Sequence, residues 1–193
     1  MTAIYEIRAP IRDIRRYCPD RPFPAYRFVP GQGPHPRLDP AGHSYGSVTE
    51  NPAAEWDPTH WQHLGAWRWG IDLFNHFYFW EAHEAWEELW RTTGRSTPPG
   101  LLLQGLIQIA AALLKVHTRA TRSARRLSEH GVEKLKRAAA VSPQMMGLEL
   151  TATITEMETY FRPLADDAQL RLDASVPILW LTEAGRTPGD VQR

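Results

Sequence analysis

A short stretch near the middle of the sequence carries the side chains most able to do chemistry. "WEAHEAWEELW", residues 80–90, holds one histidine and four glutamates: His83, Glu81, Glu84, Glu87 and Glu88. Imidazole and carboxylate groups bind divalent metal ions and transfer protons in acid–base catalysis. Their function depends on whether the fold gathers them in one site or leaves them facing bulk water.

The spacing predicts one amphipathic helix from about Phe79 to Thr92. At about 100° per residue, the apolar side chains fall on one side of this helix and the glutamates on the other. His83 lies at the seam, one turn before Glu87, where two side chains can meet. Acids on such a helix are usually solvated, and the spacing alone favours this simpler interpretation over a catalytic or metal site at His83, Glu84 and Glu87.

Two familiar metal motifs do not match this stretch. The zinc-protease motif needs a second histidine where this sequence has Glu87. The ferritin-like di-iron site takes Glu-x-x-His from each of two helices, whereas His-Glu-x-x-Glu occurs once here. One helix supplies two or three ligands, so we expect a metal ion to need further groups from elsewhere in the chain.

The next predicted helix, "LLLQGLIQIAAALLKVH" at residues 101–117, is apolar around most of its circumference, which indicates a buried helix. A narrow polar strip interrupts it at Gln104, Gln108 and Lys115. Buried amide and ammonium groups need partners, and antiparallel packing would place the strip against the acidic helix. The strip is then either a hydrogen-bond network that fixes helix register or one wall of a small-ligand pocket. The pocket would be lined by Asn75, Glu81, Trp90, Gln104, Gln108 and Lys115.

At these residues the sequence resembles domain-of-unknown-function family 309, which comprises small helical bacterial and archaeal proteins. The family signature is Phe-Asn, then Glu-x-His-Glu-x-x-Glu-x-x-Trp, then Gln-Gly-x-x-Gln, and the resemblance covers about residues 68–140. The matching positions are Phe74, Asn75, Glu81, His83, Glu84, Glu87, Trp90, Gln104, Gly105 and Gln108. His76 is a departure, because we expect glycine there. The resemblance implies an all-α bundle with acid, histidine and glutamine in one cluster, and it implies no activity.

Ten of the sixteen prolines precede residue 60, which predicts an irregular segment over residues 10–55. The segment also carries aromatic residues, unlike a disordered linker, so we expect an arm that lies on the core. The arm contains His35 and His43 in a proline-stiffened loop. Either imidazole could reach Glu84 or Glu87 and complete a site for zinc, iron, manganese or nickel. Local hydrogen bonding within a surface loop is the simpler alternative, and we favour it.

The predicted fold class is all-α: a compact bundle of about five helices with the long proline-rich arm packed on it. The first helix is expected from Asp57-Pro58 to Phe74, with a break at Asn75-His76, and later helices at about 123–140 and 144–161. The domains are an arm at 1–56, a helical core at 57–162 and a loose tail at 163–193 that contains the apolar patch "VPILWL".

Composition narrows the function classes. Lys plus Arg and Asp plus Glu both total 22, so no overall charge attracts nucleic acid or a membrane surface. Cys18 is the only cysteine, which excludes an internal disulfide. The N-terminus does not read as a signal peptide, and the longest apolar run is shorter than the ~20 residues that span a bilayer. We therefore expect a soluble cytoplasmic protein without a membrane partner.

Three functions are open at this point. The first is binding of a divalent metal ion or a small polar ligand at the His/Glu/Gln cluster, with or without catalysis. The second is a non-catalytic scaffold or homo-oligomer that uses a tryptophan-rich surface, because Trp67, Trp69 and Trp80 do not easily all point inward. The third is nucleic-acid binding, which we disfavour because Glu129 and Glu133 interrupt the basic run. That run comprises Arg119, Arg122, Arg125, Arg126, Lys134, Lys136 and Arg137.

Overall fold

Five α-helices build the part of the chain that the computed structural model describes, residues 13–47 and 56–182. They are α1 (Gly65–Asn75), α2 (Phe79–Thr92), α3 (Pro98–His117), α4 (Thr121–Ala139) and α5 (Leu150–Phe161). Short 3-10 helices at Pro58–His63 and Arg162–Asp166 flank the set. This architecture confirms the all-α class. Parts of the predicted arm (residues 1–12 and 48–55) and of the predicted tail (residues 183–193) lie outside the described residues.

The predicted first helix is two elements rather than one. Asp57 caps the 3-10 helix, with its carboxylate accepting from the backbone N–H of Thr59 at 2.9 Å and of His60 at 3.3 Å. Leu64 then adopts an extended conformation (φ −76°, ψ 91°), and α1 begins at Gly65. The capping residue and the proline mark a helix start, as the sequence predicts, but the element that they start is the short 3-10 helix and not α1.

A tight turn between α1 and α2 sets the direction of the acidic helix. Helix α1 ends at Asn75, as the sequence predicts, and Phe77 takes a left-handed conformation with φ 66°. That conformation costs about 1–2 kcal/mol for a residue with a Cβ. Phe77 is buried and its ring stacks on Phe79 at 5.2 Å, and this burial offsets the cost.

Helix α3 is the centre of the bundle and packs between α2 and α4. It begins at Pro98, three residues before the predicted start, because Thr97 caps it by accepting from the Gly100 N–H at 3.2 Å. By length and hydropathy α3 could span a bilayer, but 67% of its apolar window is buried inside the protein. Its apolar surface is therefore accounted for by contacts with the other helices.

A small hairpin replaces the predicted start of the fifth helix. Strands β1 (Gln144–Met145) and β2 (Leu148–Glu149) pair antiparallel across a turn in which Met146 and Gly147 both have positive φ, 48° and 81°. Positive φ at both positions is typical of a tight hairpin turn. Helix α5 then starts at Leu150, with the Glu149 carboxylate accepting from the Thr151 and Ala152 N–H groups.

The arm and the tail are attached to α1 by buried polar side chains. Asp72 is fully buried and accepts from the backbone N–H groups of Tyr17 at 2.7 Å and Cys18 at 2.8 Å. Asn75 bonds both the N–H and the C=O of Leu179, at 2.8 and 2.9 Å. Satisfied buried groups of this kind fix the path of otherwise irregular backbone.

Trp67, Trp69 and Trp80, which the sequence predicts do not easily all point inward, are all packed against the core. Trp67 and Trp69 are buried, and Trp80 is partly buried. The arm provides the cover, because Phe23 stacks on Trp69 at 5.4 Å and Phe28 meets Trp80 edge-on at 5.2 Å. Among the described residues, Trp180 of the tail is the one exposed tryptophan.

Candidate functional site

Three neighbouring side chains of α2 converge at its acidic side. One ligand atom each from His83, Glu84 and Glu87 can be chosen so that all three lie within 4.8 Å of one another. Glu87 lies four residues after His83 and three after Glu84, so its side chain is a neighbour of both one turn later on the helix. All three side chains are partly buried, so the cluster lies at the boundary between core and solvent.

The His83 ring points one nitrogen into this cluster. Its Nδ1 is 3.4 Å from Glu84 Oε1, and the atom is buried without a well-formed hydrogen bond to any described residue. The other residues of the cluster offer only oxygen acceptors. Nδ1 is therefore placed either to donate to Glu84 or, in its unprotonated form, to bind a cation between the two side chains.

Glu84 contacts two positively charged or ionisable groups. Its Oε1 faces His83, and its Oε2 lies 3.5 Å from Nη1 of Arg37. Burial acts to raise the pKa of Glu84, but the His83 contact and the Arg37 charge together outweigh burial, and the pKa lies below its ordinary value. The carboxylate is thus held in its anionic form, which is the form that binds metal ions.

Glu87 of the cluster and the neighbouring Glu88 also have arginine partners. Glu87 pairs with Arg91 on the same helix, with Oε2 3.2 Å from Nη2. Glu88 accepts a charge-assisted hydrogen bond from Arg37. Arg37 therefore bridges two carboxylates of α2 from the arm, whereas Arg91 acts from within the helix.

Glu81 belongs to a separate network on the same helix. It is 6% exposed, and its Oε1 accepts from the Phe28 N–H at 2.9 Å and contacts His43 Nε2 at 3.1 Å. His43 Nδ1 in turn lies 2.8 Å from Ser44 Oγ. Because Glu81 Oε1 is an acceptor here, His43 donates from Nε2, and Glu81 attaches the arm to α2.

The two histidines of the arm do not hydrogen-bond to Glu84 or Glu87 within the described part of the chain. His43 bonds Glu81 instead, and His35 Nδ1 accepts from the backbone N–H groups of Arg37 and Leu38, both at 3.3 Å. The residue of the arm that does reach Glu84 is Arg37, which sequence reasoning missed. Its signal was a cation between the two histidines of a stiff loop, opposite an acidic helix.

A family model described as "Domain of unknown function (DUF309)" matches residues 67–127. Residues 67–127 are thus similar to this family and are here called the DUF309 domain. A comparison of the chain with curated proteins found no match. The DUF309 domain runs from α1 into α4, so it holds the cluster of α2 and the whole of α3, while the arm and the tail lie outside it.

The polar strip on α3 of the DUF309 domain lies half-buried. Gln104, Gln108 and Lys115 form no hydrogen bond or ion pair with the α2 glutamates among the described residues. Gln108 Oε1 is buried without a partner, as is the indole N–H of Trp90 on α2. Each helix thus carries one buried polar atom without a protein partner, an acceptor on α3 and a donor on α2, and buried groups of this kind favour a bound water or a polar ligand.

Asn75 lies within the DUF309 domain but faces the tail. Both atoms of its amide are used by the backbone of Leu179, and the side chain is 1% exposed. In the described structure it joins the domain to the segment that follows it in sequence.

Proposed function

We propose that this protein binds one divalent metal ion through His83, Glu84 and Glu87. The observation that supports this most directly is their convergence within 4.8 Å, with a buried His83 Nδ1 that lacks a good protein partner. One imidazole and two carboxylates suit zinc, iron, manganese or nickel. The positive charge of an ion would also offset part of the negative charge of the glutamates on this side of α2.

Only small movements are needed for these groups to share an ion. Metal–ligand bonds of about 2.0–2.2 Å place two ligand atoms of one ion at most about 4.4 Å apart. Three ligand atoms of one ion cannot all lie opposite one another, so the cluster, whose ligand atoms lie within 4.8 Å of one another, must contract by about 1 Å to share an ion. Rotation about the side-chain torsions of the glutamates can close the difference, since both side chains are partly exposed.

Three protein ligands would leave coordination positions for water or for a small polar molecule. Open positions are typical of catalytic sites, whereas structural sites are closed by four protein ligands. An ion held in this way can polarise a bound group or lower the pKa of a bound water.

In this proposal Glu81 is a structural residue and not a ligand. Its Oε1 already accepts from the arm twice, from Phe28 and from His43. His35 is likewise used by its own loop. All ligands of the proposed ion therefore come from α2. The proposed location of the protein is the cytoplasm, and its single cysteine, Cys18, is a free thiol.

The test is metal binding by purified full-length protein after removal of bound ions with a chelator. Calorimetric titration with Zn²⁺ and with Mn²⁺ should give one ion per chain, confirmed by elemental analysis. His83→Gln and Glu87→Gln should each weaken binding at least tenfold, because each removes one of three ligands. The matched control is His60→Gln, which removes a surface imidazole 2.6 Å from Asp57 and should leave affinity unchanged. Equal binding by all variants would refute the site.

A further inference from the structure

We propose that Arg37 sets the metal affinity of this site, so that metal binding and attachment of the arm loop around Arg37 weaken each other. This inference rests on the proposed metal site and adds its regulation. It concerns a residue outside the DUF309 domain, in the arm that precedes it.

Arg37 is bound to the same carboxylate that would hold the ion. Its Nη1 is 3.5 Å from Glu84 Oε2, and its Nη2 hydrogen-bonds Glu88. Among the described residues, it is the one cation from outside α2 that pairs with these acids. The cluster therefore already contains a positive charge, and that charge belongs to a different segment of the chain.

The ion and the guanidinium would compete for Glu84. His83 faces one oxygen of this carboxylate and Arg37 the other. An ion beside His83 would lie next to Arg37 with only the carboxylate between them. Glu84 and Arg37 are both partly buried, so solvent and salt screen this repulsion incompletely.

A guanidinium behind a metal ligand can also have the opposite effect, because it orients the ligand and strengthens metal binding. Two features make that effect the smaller one here. Glu84 is already directed by His83 on its own helix, and the shorter of the two Arg37 contacts is with Glu88 rather than Glu84. Repulsion between the two cations is then the larger contribution.

Arg37 belongs to a loop that is cross-linked by its own backbone. Asp39 N–H donates to His35 C=O at 3.1 Å, Gly42 N–H to Asp39 C=O at 2.8 Å, and Ser44 N–H to Pro36 C=O at 3.0 Å. Weaker attachment of Arg37 should therefore lower the protection of these amides together. Coupling free energies are reciprocal. If the ion weakens the attachment of the loop, attachment of the loop weakens the binding of the ion by the same free energy.

The experiment combines Mn²⁺ affinity with amide hydrogen exchange on the full-length protein. Arg37→Gln should bind Mn²⁺ about five- to tenfold more tightly than the parent, whereas Arg37→Lys keeps the charge and should stay close to the parent. In the parent, saturating Mn²⁺ should speed exchange at the amides of Asp39, Gly42 and Ser44. In Arg37→Gln it should leave their exchange unchanged.

Two controls separate this coupling from general effects. Arg91→Gln removes an equal charge from Glu87 but lies on α2, so Mn²⁺ should still speed exchange in the arm loop. The amides of Tyr17 and Cys18 bond Asp72 on α1 and should exchange at the same rate with and without Mn²⁺.

Two results would count against the inference in different ways. If Arg37→Gln binds Mn²⁺ no more tightly than the parent, or if Mn²⁺ leaves loop exchange in the parent unchanged, the coupling is refuted while the metal site stands. If neither the parent nor Arg37→Gln binds Mn²⁺ or Zn²⁺, the metal site and the coupling fall together.

Discussion

The imidazole of His43 donates from Nε2 to Oε1 of Glu81 over 3.1 Å, and both side chains are about 95% buried from solvent. The same oxygen accepts from the Phe28 N–H. One carboxylate on the acidic helix is thus the attachment point for two parts of the arm. Glu81 thus holds the arm with a buried carboxylate, whereas the partly buried cluster of His83, Glu84 and Glu87 begins two residues later on α2.

Removal of the Glu81 carboxylate should destabilise the protein, because it leaves two buried donors without an acceptor. We expect Glu81→Ala to lower the free energy of unfolding by about 2–4 kcal/mol. Glu81→Gln should lose only about 1 kcal/mol, since a single amide oxygen can accept from both Phe28 and His43. Urea unfolding measures both values.

Glu87→Ala is the control for this comparison, because Glu87 lies on the same helix and pairs with an exposed arginine, Arg91. Such a pair contributes less than about 1 kcal/mol. Equal losses for Glu81→Ala and Glu87→Ala would show that Glu81 does not attach the arm.

The N-cap at Asp57 should make a contribution to stability that disappears in acid. Hydrogen bonds from Thr59 and His60 lower the pKa of Asp57 below its ordinary value. Because the pKa of this carboxylate is lower in the folded state, its ionised form stabilises the protein at pH values above the unfolded-state pKa of about 3.9. This contribution to stability is lost as the pH falls through the folded-state pKa. Asp57→Ala should therefore lower the urea midpoint at neutral pH and should remove this part of the acid dependence.

The side chain at 57 is exposed, so the effect of the variant on the midpoint should be small but should follow pH in the stated direction. A gap between parent and Asp57→Ala that grows as the pH falls would contradict the capping role.

Much of the fold follows from local patterns in the sequence. Helix α2 occupies the predicted span because its apolar and acidic residues separate cleanly at 3.6 residues per turn. The sequence does not predict the hairpin at 144–149, because each strand has only two residues, too few for an alternating pattern to appear. The turn depends on positive φ at Met146, which is rare for a residue with a side chain.

The candidate site, like the fold, can be predicted from the sequence only in part. Convergence of His83, Glu84 and Glu87 follows from their spacing on one helix. The contacts of Arg37 and His43 with α2 join residues 38 or more positions apart, through an irregular arm whose path no periodicity describes. Sequence reasoning could therefore predict an arm on the core but not which of its side chains meets which acid.

The hairpin turn offers a test of how tightly it packs on the first 3-10 helix. A Cβ at Gly147 would come 2.5 Å from Cζ2 of Trp61, in addition to the strain of φ 81°. Gly33 has the same φ of 81° and open space around it. Gly33→Ala should cost about 1–2 kcal/mol from strain alone, and Gly147→Ala should cost more.

Thermal unfolding of the two variants makes the comparison directly. Both variants carry the backbone strain of a positive φ, whereas only Gly147→Ala brings a Cβ into contact with Trp61. A melting temperature for Gly147→Ala equal to that of Gly33→Ala would mean that the Trp61 ring moves aside freely and does not fix the hairpin.

The cluster on α2 can be tested most directly by anomalous diffraction from crystals of the full-length protein grown with Zn²⁺. A metal site predicts a single strong peak about 2.0–2.2 Å from a ring nitrogen of His83 and from carboxylate oxygens of Glu84 and Glu87. Absence of a peak among these three side chains, with zinc found only at other surface positions, would contradict the proposed function.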